Sequence, residues 1–65
     1  MSKYPNIKVK LTGTDGNAFS IMGKVKTALR TNGIPDSEVK LFLDEAMSGD
    51  YNKVIRTAME WVTVR

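Results

Sequence analysis

Cysteine and histidine are both missing from the 65 residues. Without cysteine there is no disulfide, no thiol nucleophile and no thiolate metal site. Without histidine the commonest metal ligand and the commonest general base near neutral pH are gone too. No cofactor and no metal site is therefore expected, and the chain reads as a protein that is not an enzyme. Long apolar runs are also lacking, so nothing in the pattern spans a membrane. The opening Met1-Ser2-Lys3-Tyr4-Pro5 has no apolar centre and does not read as a signal peptide. The expected location is the cytoplasm of the host cell.

A chain of this size buries only roughly 60% of its unfolded surface. Residues 1–65 are read as one small domain, with residues 1–6 expected to fray. Such folds usually need a staple, and with disulfides and metals excluded a homo-oligomer is the expected one.

Ile7-Lys8-Val9-Lys10-Leu11 alternates apolar and basic, the mark of a half-buried strand. A glycine loop follows. Asn17 to about Thr31 has helical periodicity, with Ala18, Met22, Val25 and Leu29 on one stripe and Phe19, Ile21 and Ala28 widening it. Asn17 or Asp15 is placed to cap it, and Asn32-Gly33 to end it. Gly23 inside this helix costs about 1 kcal/mol relative to alanine, which points to a close approach by backbone or ligand, or to simple tolerance.

Pro35-Asp36-Ser37-Glu38 opens a second helix with stripe Val39, Phe42, Leu43, Ala46 and Met47. Ser48-Gly49 stops it. Asp50 caps a third, where Tyr51, Val54, Ile55, Ala58 and Met59 recur at helical spacing. Met22, Met47 and Met59 are expected as core fillers. Glu60 to Arg65 is β-branched and aromatic and reads as a second strand. The fold class expected is α+β, strand-helix-helix-helix-strand, with a short sheet made from the two terminal strands.

Charge is uneven. Up to Gly33 six cations oppose Asp15 alone, a net +5, whereas the rest carries −2, for +3 overall. The basic half favours an anionic partner. It contains Thr12-Gly13-Thr14-Asp15-Gly16-Asn17, a glycine-rich turn at a helix N-terminus. Backbone N–H groups there can cradle a phosphate, although a plain turn and cap has the same composition. The run is neither a Walker loop nor the Gly-x-Gly-x-x-Gly fingerprint, so neither ATP hydrolysis nor NAD binding is supported. Asp15 would face a base edge or ribose hydroxyl rather than phosphate. Lys24 and Arg56 are the charge partners expected for such a ligand, and Trp61 either packs in the core or stacks on a base. The carboxylates mostly sit at helix starts, where the macrodipole favours them, and form no catalytic pair. A charge of +3 with no densely basic helix makes nucleic acid an unlikely partner.

Gly16-Asn17-Ala18-Phe19, the Lys24–Gly33 stretch with Ala28-Leu29-Arg30, Ser48-Gly49-Asp50-Tyr51 and Met59-Glu60-Trp61-Val62-Thr63-Val64 together resemble a widespread group of very small phage and prophage proteins. The likeness covers roughly residues 11–64. The chain is also similar to small viral sponge proteins that sequester cyclic nucleotide signals in anti-CBASS immune evasion. That resemblance implies an oligomer holding a nucleotide at the subunit boundary, and it assigns no individual ligand residue. A sponge needs donors for phosphate, cations and a flat surface for bases, which the glycine loop, the basic half and Trp61 or Tyr51 would supply. The alternative is a small phage protein that inhibits a host factor by docking on it.

Overall fold

The computed structural model describes residues 2–11 and 16–65. The chain runs β1 (Tyr4–Val9), α1 (Ala18–Thr31), α2 (Asp36–Ala46), α3 (Tyr51–Trp61) and β2 (Val62–Val64). The two terminal strands pair in parallel, and the fold is α+β as its pattern predicts. Thr12 to Asp15 lie outside the described residues.

Local chemistry sets the helix ends. The Asn17 side chain accepts from the Phe19 N–H at 2.8 Å and starts α1. At its far end Gly33 adopts φ 79°, the left-handed position that glycine enters at least cost. The Ile34 N–H then reaches the Leu29 carbonyl and the Gly33 N–H the Arg30 carbonyl, each at 3.0 Å, a Schellman closure. Pro35 stands one position before α2 rather than inside it, and its carbonyl accepts from Glu38 and Val39. Asp50 caps α3 by accepting from the Lys53 N–H at 3.1 Å. Gly49 is glycine for space, since a Cβ there would sit 2.9 Å from Lys53 Cβ. Gly23 is different: nothing lies within 4 Å of where its Cβ would be, so no other part of the described chain makes the close approach.

The third helix and last strand divide differently from the sequence pattern. Glu60 and Trp61 finish α3 and do not begin β2. Trp61 falls three or four residues from Thr57 and Ala58 and seven from Val54, so as a helical residue it joins their buried face. Burying the indole there outweighs its β propensity. Tyr51 and Met59 are turned outward as a result, and Met47 and Phe19 are exposed as well. Of the methionines expected as core fillers, Met22 alone is buried, and Met47 and Met59 correct that expectation. The core lies between the helices and one sheet face, built on Ile7, Val25, Leu29, Phe42, Trp61 and Val62.

The chain start, expected to fray, is instead tied down from Ser2 onward. The Lys3 N–H donates to the Glu60 carbonyl at 2.7 Å, and Ser2 Oγ donates to the Val62 carbonyl at 2.9 Å. Register slips between Tyr4 and Lys8, around Pro5, which has no N–H to offer a ladder. Thr63 Oγ1 donates to the Pro5 carbonyl at 2.8 Å and bridges the slip.

A polar clasp adds to this. Lys3 Nζ lies 2.7 Å from Glu38 Oε1, and the Tyr4 hydroxyl donates to the same oxygen at 2.8 Å. The Lys3 ammonium also sits over the Trp61 ring, 4.2 Å from its centroid. Hydrogen bonds from Lys3 and then Tyr4 hold the Glu38 carboxyl below its usual range. The hydrogen bond to Glu38 raises Lys3 and Tyr4. The Glu38 contribution is present above the ordinary carboxylate pKa and is lost as pH falls through its lowered value. The Lys3 and Tyr4 contributions are present below their ordinary values and are lost as pH rises through the raised ones. Urea midpoints of the wild type are therefore expected to fall at both edges, below about pH 4 and above about pH 10. Lys3→Met should be less stable on the plateau and show a shallower decline at each edge. Identical pH profiles for the two proteins would contradict a folded-state clasp.

Candidate functional site

The starts of α1 and α3 and the end of α2 enclose an open groove of about 250 Å³. Met22, Ala46 and Val54 form its apolar floor, and Phe19, Met47 and Tyr51 form its walls. Phe19 is 75% exposed, Met47 55% and Tyr51 48%. Large apolar side chains grouped on one face are a mark of recognition surfaces, whereas scattered ones need no explanation. Among the described residues lining the groove, the one charged group is Asp50, whose carboxylate also caps α3.

Gly16 and Asn17 stand next to this groove. Asn17 caps the helix whose first two residues line it. A Cβ at Gly16 would come within 3.8 Å of the Tyr51 hydroxyl, an ordinary contact, so glycine is not sterically required there. Thr12, Gly13, Thr14 and Asp15 lie outside the described residues.

The other expected ligand residues are not gathered here. Lys24 lies five residues from Phe19 on α1, toward the opposite flank, and its Nζ donates to the Lys10 carbonyl at 3.3 Å. Arg56 is exposed on α3, away from the face of Val54, Thr57, Ala58 and Trp61. Trp61 is 5% exposed. Its ring meets Phe42 edge-on at 5.7 Å and Tyr4 at 5.9 Å, and its Nε1 donates to Glu45 at 3.3 Å. With neighbours on these sides and Lys3 over its face, Trp61 packs as a core residue, the first of the two roles its type allows.

The sequence pattern missed Phe19 and Met47 as site residues because each lies on a stripe at core spacing, whereas Tyr51 is one of the two aromatics it offered as a surface for a base. The signal available was the width of those stripes: a short helix in a small domain cannot bury a band that broad.

Fold and groove together define a small α+β domain with an open apolar groove where the starts of α1 and α3 meet the end of α2. No protein family, curated protein or solved structure matches the chain. No helix among the described residues is long and apolar enough to cross a membrane.

Proposed function

We propose that this is a non-enzymatic phage or prophage protein that binds and sequesters a cyclic nucleotide immune signal, with a base held in the α1–α3 groove. The observation that carries the reading is that exposed Phe19 and Tyr51 line one apolar groove, next to Gly16 and Asn17. Base stacking on an aromatic side chain contributes about 1–3 kcal/mol. Asp50 repels phosphate but accepts from the amino group of a base, the role first considered for Asp15. The groove is smaller than the ~300 Å³ at the low end of typical ligand pockets, and it is open. One base fits and the rest of a cyclic nucleotide stays uncovered, so a second copy of the chain would complete the enclosure.

Isothermal titration against a panel of cyclic di- and trinucleotides tests this. At least one member should bind. Phe19→Ser should weaken it about tenfold or more, in line with the loss of one stacked base. The melting temperature should hardly move, because Phe19 is exposed. Silence from every member well above micromolar concentration sinks the reading. Native mass spectrometry of protein from infected cells would report the number of copies and any carried nucleotide.

The apolar lining and the flexible Met47 favour a second reading, a docking surface for a host protein. It predicts no nucleotide binding, together with a host partner whose retention is lost on Met47→Asp.

A further inference from the structure

A second groove, of about 210 Å³, lies between α1 and α2 and contains Lys26, Arg30 and Lys40. On α1, Phe19, Met22, Lys26 and Arg30 follow one another at three- and four-residue steps, so they share one flank. The same spacing links Lys40 and Leu43 on α2 with Met47, the residue that caps it. The start of α1 meets the end of α2 in the aromatic groove, and the second half of α1 meets the start of α2 here. The two grooves are therefore successive stretches of one antiparallel seam, apolar at one end and cationic at the other.

The cationic end has the properties of an anion site. Three cations face one carboxylate, Asp36, which lies 3.7 Å from Arg30 Nε in an exposed pair. Such a pair contributes little and is readily exchanged for a better anion. The floor is apolar, from buried Val39 and half-buried Leu43, which strengthens a charge contact above it. Helix α2 begins at this point with Pro35 in the cap position and no side-chain cap. Its first turn carries Asp36 and Glu38, which already meet the positive end of its dipole, so the three cations are what make this end of the seam attractive to an anion.

We infer that Lys26, Arg30 and Lys40 form a phosphate-binding subsite at the α1–α2 seam. Arg30 supplies a planar fork for two phosphate oxygens, and the lysines supply point charges. Seven residues of helix separate Phe19 from Lys26, about 10 Å along the axis. A nucleotide with its base between Phe19 and Tyr51 would thus direct its phosphates along the seam, away from Asp50. This placement rests on the proposed nucleotide reading, whereas the cation cluster does not depend on it. The same phosphate chemistry occurs in a small nucleotide and in a nucleic-acid backbone.

The test is amide NMR of the whole chain, titrated with inorganic tripolyphosphate and, separately, with a short mixed-sequence DNA duplex. Tripolyphosphate should shift the amides of Lys26, Arg30 and Asp36 to Lys40 saturably. The double variant Lys26→Gln/Lys40→Gln should weaken it about tenfold or more, since two of the three charges offered to the phosphate are removed. Phe19→Ser should leave it unchanged. If the double variant loses its dispersed spectrum, Arg30→Gln alone takes its place. Saturation by duplex alone, at the same amides, would support the subsite and identify its source as nucleic acid. No saturable shift there with either probe, or equal binding by a folded variant, overturns the proposal. Cyclic nucleotides that fail to bind a protein still saturated by tripolyphosphate would remove the nucleotide reading and leave the subsite standing.

Discussion

Trp61→Ala is expected to leave the chain largely unfolded at room temperature. Truncating a buried tryptophan costs about 3–5 kcal/mol. A single core below about 70–80 residues rarely supplies more than ~3–5 kcal/mol in all. The indole touches every layer of the fold: Phe42 and Glu45 from α2, Tyr4 from β1, and the Lys3 ammonium across its face. Far-UV circular dichroism should lose its helical signal, or urea should give no cooperative transition. Trp61→Phe, which keeps a ring in the site, should remain folded with a lowered midpoint. A Trp61→Ala protein that melted like the wild type, yet no longer bound nucleotide, would move the residue from the core to the ligand site.

The second large effect is expected at Val62, whose side chain is fully buried where α3 passes directly into β2. Val62→Asp places a carboxylate there with no cation built to meet it. An isolated buried charge is so costly that the group tends to stay protonated instead. Its folded pKa is then raised, so the charge penalty grows as pH rises above the ordinary value and eases as pH falls. At neutral pH the variant should be unfolded, with the loss exceeding the few kcal/mol that a domain of this size has available. Between about pH 4 and 5 it should regain part of its helical signal. Wild-type-like melting at neutral pH would show that Val62 is not enclosed.

Buried Thr57 is a smaller departure from a dry core. Its Oγ1 has no hydrogen-bond partner among the described residues, although the residue is buried with Ala58 and Trp61 on the inner face of α3. Nothing in its sequence context separates it from an exposed threonine. It lies at the right helical phase, but a hydroxyl is weak evidence of burial on its own.

The site was less legible than the fold. The glycine loop was conspicuous because its composition is unusual over six consecutive residues. The aromatic groove is conspicuous only in three dimensions. Phe19 and Tyr51 stand in the first turns of α1 and α3, Met47 is the C-cap of α2, and each falls at core spacing in the sequence. Lys24 and Arg56 were singled out by charge alone, and helix phase sends them elsewhere. Lys26, Arg30 and Lys40 are ordinary solvated lysines and arginine until α2 folds back against α1.

What the sequence determined by itself is local: five elements in order, the α3 cap at Asp50, an α1 cap narrowed to Asn17 or Asp15, and the glycine closure at Gly33. Those features depend on hydrogen bonds within a few residues of chain, which the residue types already specify. The tertiary structure alone decided which part of each apolar stripe is covered, that Trp61 completes α3, that Ser2 to Pro5 are held, and that an aromatic groove and a cationic one share a seam. These depend on the phase of each helix against its neighbours. That phase is set by competition for a core too small to cover every apolar side chain.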